Sequence, residues 1–240
     1  MNERVPNVDP AEREKFDRQA AGWWDPEGDA RPLHDLNPAR VRYIAERADL
    51  VGAAVVDVGC GGGILSEALA ARGASVTGID VSKRALQVAR LHLHESGLQV
   101  DYREQTAEAL AAGEPASADI VTCLELLEHV PDPASVVAAC GTLLKPGGQL
   151  FLSTLNRTPA AFALAIVGAE HVLRLLPQGT HQYDRFIRPS ELDEWLRAAG
   201  LELVDVTGIH YNPITRAVRL GGPVQVNYLA HAVRHGGTAS

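Results

Sequence analysis

From residue 54 the chain settles into a repeat that leaves few folds open. "AVVDVG", "SVTGID", "LQVDYRE", "ADIVTCLE" and "QLFLSTL" are short runs rich in β-branched and apolar residues. Helical stretches separate most of them: "GILSEALAARG", closed by Gly73; "KRALQVARLHLHESG", capped by Ser82; and "ASVVAACGTLLKPGG", ending in a Pro-Gly-Gly turn. Strands alternating with helices at this spacing predict an α/β fold, a doubly wound and mostly parallel sheet with helices on both faces. Residues 156–188 interrupt the rhythm. It resumes with the helix "PSELDEWLRAAG" and the strand "LELVDVTGI", and a last strand is expected in "PVQVNYLAHAV", which makes seven. Upstream, "AEREKFDRQAAGWW" reads as a helix. "NPARVRYIAERADL" reads as another, with Asn37 as its cap and Pro38 at the first helical position.

Composition removes several function classes. A chain of 240 residues that is 46% hydrophobic can build a substantial core. Its net charge of -8 argues against a general nucleic-acid binder, because phosphate contacts need a basic surface. Cys60, Cys123 and Cys140 are an odd number without CxxC or Cys/His zinc spacing, so a reducing, cytoplasmic compartment is expected. The polar N-terminus has no signal-peptide core, and no apolar run reaches the roughly 18 residues of a membrane span. The first ten residues and the tail "RHGGTAS" read as loosely ordered.

The first strand runs into "VVDVGCGGG" and then a helix. Gly59, Gly61, Gly62 and Gly63 allow a tight turn and close approach of a ligand to the backbone. Ligands of open parallel sheets sit at the strands' carboxyl ends. The spacing is G-x-G-x-G, and Ile64 stands where a dinucleotide G-x-G-x-x-G fingerprint needs its third glycine. Asp80 ends the second strand, where its carboxylate can accept hydrogen bonds from a ribose diol. Asp57, just before the loop, is expected to hold the turn by bonding loop amides, the alternative being a place near a ligand ammonium group. Together the loop and Asp80 read as a nucleoside site.

These motifs, with "ADIVTCLELLEHVPDP" and "LLKPGGQLFLSTLNR", resemble those of class I S-adenosylmethionine-dependent methyltransferases, whose sheet is Rossmann-like. "WWDPEGDARPLHDLNPARVRYI", "STLNRTP", "GTHQYDRFIRPSEL" and "GIHYNPI" extend the resemblance to the ubiquinone-biosynthesis O-methyltransferase family, over about residues 12 to 231. The resemblance implies one methyltransferase domain over 1–240. Its parts are an N-terminal helical cap (1–50), a cofactor-binding core (51–155), a helical lid or membrane-contact insert (156–188) and the rest of the core (189–233). It also implies that Gly59 meets the methionyl part of S-adenosylmethionine, Asp80 holds the ribose and Leu124 lines the site. Arg40 then reaches the methionyl carboxylate, which suits a guanidinium. The implied substrates are polyprenylated rings, methylated once on a catechol-like phenol and once on a demethylated quinol.

Methyl transfer to a phenol needs help with a proton, since a free phenol has a pKa near 10. "ELLEHV" follows the fourth strand, where the acceptor should arrive. Three readings stand side by side. Glu125, Glu128 and His129 hold Mg²⁺, a metal associated with eukaryotic relatives of the family, although histidine suits it poorly. Alternatively His129 is a general base. Or the segment shapes the pocket without taking part in chemistry.

The other histidines carry less. His181 and His210 lie in loops of the kind that cover active sites, and His92, His94, His231 and His235 read as surface or tail residues. The apolar stretch within 160–177 is too short and too charged to span a bilayer. It is expected to gate a polyprenyl substrate and touch lipid on the inner face of the cytoplasmic membrane. Association with a ubiquinone-biosynthesis complex also follows from the resemblance. Rival readings are a methyltransferase for another small molecule, an NAD-dependent oxidoreductase, which the glycine spacing opposes, and a non-catalytic lipid-binding scaffold.

Overall fold

The computed structural model describes residues 7–162 and 183–236. One sheet organises them, with strand order β3-β2-β1-β4-β5-β8-β6-β7. The strands are β1 (Ala54–Val58), β2 (Ser75–Asp80), β3 (Val100–Glu104), β4 (Ala118–Leu124), β5 (Leu144–Leu155), β6 (Leu201–Tyr211), β7 (Val218–Leu220) and β8 (Asn227–Arg234). β1 pairs in parallel with both β2 and β4, so the chain reverses its direction of travel across the sheet at β1. That switch point opens a crevice at the carboxyl ends of β1 and β4. β8 lies antiparallel between β5 and β6. The seven expected strands are present, and β7 is an eighth, a short antiparallel edge partner of β6. Three residues of "VRL" are too few to stand out as a periodic run.

Strand side chains alternate between two cores, as the period of two requires. Val55, Ile120 and Phe151 point one way and pack with Tyr43 and Ile44 of α2 (Arg31–Ala45) and Leu69 of α3 (Ile64–Ala70). Val56, Val58, Val121, Leu150 and Leu152 point the other way. They meet Leu110 of α5 (Ala107–Gly113), Val137 and Leu143 of α6 (Pro133–Leu143), and Leu192 and Leu196 of α8 (Pro189–Ala198). Each such side chain, buried fully, contributes about 1.5–3 kcal/mol relative to exposure. The remaining helices are α1 (Pro10–Gln19), α4 (Lys83–Ser96) and the short turn α7 (Pro159–Ala161).

Local signals set most helix starts. Ser82 Oγ accepts from the Ala85 amide at 3.0 Å and begins α4, which stops at Gly97 with φ +68°. Thr106 caps α5, a helix the strand rhythm alone does not single out. The start of α2 departs from expectation. The helix begins at Arg31–Pro32, leaving Pro38 in its interior, and Asn37 donates from Nδ2 to the Ile64 carbonyl at 3.1 Å instead of capping. Pro32 meets the same first-turn preference one turn and a half earlier.

Two histidines expected at the surface are structural. His231 lies in β8, 7% exposed, stacked on Phe151 with ring centroids 4.7 Å apart. His92 of α4 stacks on Trp24 at 3.3 Å and shares a hydrogen bond with buried Glu67 at 2.9 Å. At the two margins of the described residues, parts of the stretches read as loosely ordered are held by hydrogen bonds. Asn7 donates to the Asp132 carbonyl at 2.7 Å, and Arg234 ends β8 with its guanidinium on the Gly141 carbonyl at 3.1 Å.

Candidate functional site

The β1–α3 turn is built by backbone freedom. Gly59, Gly61 and Gly63 have φ of +72°, +54° and +86°, values that L side chains rarely adopt. Space is short as well. A Cβ at Gly61 would lie 2.3 Å from the Trp23 ring, and one at Gly63 would lie 2.1 Å from the Tyr102 hydroxyl. Asp80 closes the turn. Its two carboxylate oxygens accept from the amides of Gly61 at 2.9 Å and Ser82 at 2.7 Å, and burial raises its pKa above the ordinary carboxylate value. The loop amide falls to Asp80 and not, as expected, to Asp57. Asp57 instead accepts from the hydroxyls of Ser66 at 2.6 Å and Thr122 at 2.7 Å, joining β1 to α3 and β4.

A cavity of about 910 Å³ opens over this turn. Its lining includes Arg40, Gly59, Asp80, Leu124, Glu125, Glu128 and His129, so the sequence-picked residues share one chamber. Arg40 comes from the middle of α2 and is 5% exposed. It donates from Nη2 to Glu125 Oε1 at 2.8 Å, while its buried Nε has no partner among the described residues. A buried donor without a partner is costly, and a ligand anion is one way to satisfy it.

The three residues of "ELLEHV" face three different partners. Glu125 has φ +54°, strained for a side-chain-bearing residue, and its carboxylate accepts from Arg40, from Ser153 Oγ at 2.7 Å and from Asn227 Nδ2 at 3.4 Å. Glu128, 5% exposed, accepts from Thr154 Oγ1 at 2.8 Å. Burial, helped by the charge of Glu125, pushes its carboxyl up to about 7. His129 bonds through Nδ1 to Glu12 Oε2 at 2.8 Å. Among the described residues no three His, Cys, Asp or Glu side chains gather as a metal-binding group. Arranged this way, Glu125, Glu128 and His129 do not fit Mg²⁺ as a ligand set. Glu125 is committed to Arg40 and Ser153, burial makes the charged form of Glu128 costly, and the one open nitrogen of His129, Nε2, is a poor ligand for Mg²⁺.

Sequence reasoning missed what the N-terminal segment does here. Trp23 lies on Gly61 and Gly62, and Trp24 Nε1 donates to the Gly62 carbonyl at 2.8 Å. Asp17 accepts from Ser82 Oγ at 2.6 Å, and Asp9 accepts from Arg185 at 2.8 Å. Glu12 and Phe16 are four apart on α1 and so share a face. That spacing was visible in "AEREKF", but nothing local ties the face to His129, 117 residues away. His210 lines the cavity and bonds through Nε2 to the Gly221 carbonyl at 2.9 Å. His181 lies outside the described residues, as does the expected lipid-contact stretch 160–177 beyond Phe162. No helix among the described residues is long and apolar enough to cross a membrane.

A glycine turn, a half-buried acid at the end of β2 and a buried arginine lining the same cavity are what a nucleoside-bound amino acid would require. A family model described as a methyltransferase domain matches residues 7–206. A ubiquinone biosynthesis O-methyltransferase of Stutzerimonas stutzeri is 59% identical over 228 residues, 95% of this chain and 98% of that protein. The chain belongs to the ubiquinone biosynthesis O-methyltransferase family. Its relative so named in Nitrosococcus oceani is 58% identical over 98% of this chain and 99% of its own length. Among solved structures, the magnesium protoporphyrin IX methyltransferase of Synechocystis with bound S-adenosylhomocysteine superposes with a TM-score of 0.67. It is 21% identical and covers 92% of this chain and 94% of its own. That likeness shows the class I methyltransferase fold. Members of the family are S-adenosylmethionine-dependent O-methyltransferases, and this chain is one.

Proposed function

We propose that the chain methylates ring hydroxyls of polyprenylated phenol or catechol and demethylubiquinol intermediates, and that this one cavity holds both reactants. The observation carrying this reading is the shared chamber: Arg40, Gly59, Asp80, Leu124, Glu125 and His129 all line it. Arg40 takes the methionyl carboxylate, a role its unpartnered Nε supports. Gly59 lets the backbone approach the methionyl part. Asp80 keeps free lone pairs after serving Gly61 and Ser82, enough to accept from a ribose diol. Leu124, at the end of β4, lines the chamber beside them.

S-adenosylmethionine, when bound, supplies a methyl group on a sulfonium that is open to in-line attack. The chain's part is alignment and proton removal. His129 is the base. It takes the acceptor's hydroxyl proton as that oxygen takes the methyl, and sulfur keeps the bonding pair. No step runs through Mg²⁺. The reading places the chain in the cytoplasm, at the inner face of the membrane, with lipid contact through 160–177 and docking to a ubiquinone-biosynthesis complex. What supports lipid contact is the apolar composition of that segment and the insolubility of a polyprenyl tail.

The test is a methyl-transfer assay with short-chain catechol and quinol analogues, wild type against His129→Gln. Methyl ethers from wild type, and turnover lowered at least about 100-fold in the variant with unchanged S-adenosylhomocysteine affinity, are expected. Turnover on unrelated small molecules but on no catechol or quinol would overturn the substrate assignment.

A further inference from the structure

The N-terminal helix contributes a carboxylate to the candidate base. Glu12 is 9% exposed, and its Oε2 lies 2.8 Å from His129 Nδ1. A carboxylate has no proton to donate, so the bond runs from Nδ1–H to Glu12. The neutral ring then carries its proton on Nδ1 and its lone pair on Nε2. Lys15, 3.3 Å from the same Glu12 oxygen, helps to keep the carboxylate ionised, and the His129 bond itself is the largest cause of its lowered pKa. Phe16, one turn further along α1, sets its ring edge-on to the imidazole with centroids 4.9 Å apart and an interplanar angle of 89°. One helix face therefore fixes both the tautomer and the tilt of His129. That face is itself seated on the core by Asp9–Arg185 and Asp17–Ser82.

We infer that Glu12 is a positioning residue for methyl transfer: it holds His129 in the tautomer whose Nε2 lone pair is free for the acceptor's hydroxyl proton. The inference rests on the reading of His129 as the base. It also makes α1 part of the reaction machinery, because the base is set only while α1 is docked. Once His129 has taken the proton, the Glu12 carboxylate faces an imidazolium and stabilises it, the arrangement that makes a carboxylate–histidine pair useful in general-base sites.

The experiment pairs kinetics with histidine nitrogen NMR on the full chain. Glu12→Gln keeps the shape but offers both a donor and an acceptor, so it no longer dictates the tautomer. The expected result is a kcat lower by about 10- to 100-fold. Acceptor KM and S-adenosylhomocysteine affinity stay near wild type. The ¹⁵N resonances of His129, identified by their loss in His129→Gln, move from the pure Nδ1–H pattern to a mixture. Glu12→Asp, which restores the carboxylate on a shorter arm, recovers part of kcat. A Glu12→Gln kcat within twofold of wild type, or an unaltered His129 spectrum, overturns the inference. An active His129→Gln enzyme would instead sink the base reading, and this inference with it. An inactive His129→Gln beside a fully active Glu12→Gln sinks only the role given to Glu12.

Discussion

Glu128 and Glu125 show how much of the site depends on single carboxylates. Burial favours the neutral form of Glu128 and raises its carboxyl to about 7 against an ordinary 4.5. A raised carboxyl means the folded chain binds the proton more tightly than the unfolded one. The benefit is complete below about pH 4.5 and is lost as pH rises through 7. Glu128→Gln stays neutral and still offers Thr154 a carbonyl. It should therefore be more stable than wild type at pH 8 by about 1–3 kcal/mol and lack the slope between those two pH values. Urea unfolding at a series of pH values checks this, and parallel slopes would contradict it. Arg40 gives a second prediction at this scale. Arg40→Ala should weaken S-adenosylhomocysteine binding by about 100-fold, as loss of a charge-assisted bond requires. The loss should be small for an analogue lacking the methionyl carboxylate, and calorimetry with both ligands reads the difference. Arg40 and Glu125 were legible as candidates in the sequence. Their ion pair was not, because one sits on α2, the other follows β4, and no local pattern joins them.

The glycine turn is the element that the sequence announced best. Three positive φ values in five residues leave little choice of residue, and composition alone carries that message. Gly61→Ala forces a Cβ into a left-handed backbone and to within 2.3 Å of Trp23. It should lower stability by at least about 1–2 kcal/mol and abolish measurable S-adenosylhomocysteine binding. Thermal unfolding with and without ligand tests both. Helix α2 was harder to read. Asn37–Pro38 is a good helix start by every local rule, yet Arg31–Pro32 starts the helix earlier and Asn37 is spent on the Ile64 carbonyl. Two valid starts lay within one stretch of chain. α2 docks on α3, where Asn37 meets the Ile64 carbonyl, and on β7, and docking is not a local property.

At the scale of the whole molecule the site is a closure between two parts of one chain. The sheet supplies the glycine turn and Asp80, while residues 7–29 supply Trp23, Trp24, Glu12 and Phe16 over it. The sheet was legible because its strands repeat a pattern. The closure was not, because its contacts join residues far apart in sequence and include a tryptophan stacked on a histidine. A ligand that fills the chamber should therefore bind both parts together. At 100 times its Kd, S-adenosylhomocysteine adds about 2.7 kcal/mol to stability. For a domain of this size that raises Tm by roughly 5–10 °C. Hydrogen exchange should locate the gain. Slowing is expected in 10–24 together with 59–66, since Trp24 donates to the Gly62 carbonyl and Trp23 covers the turn. Trp24→Ala removes that hydrogen bond and the stack on His92, so it should uncouple the two: 59–66 would still slow with ligand, while 10–24 would exchange at nearly the unliganded rate. Protection confined to 59–66 in wild type would mean that the N-terminal segment rests on the core without closing over the cofactor.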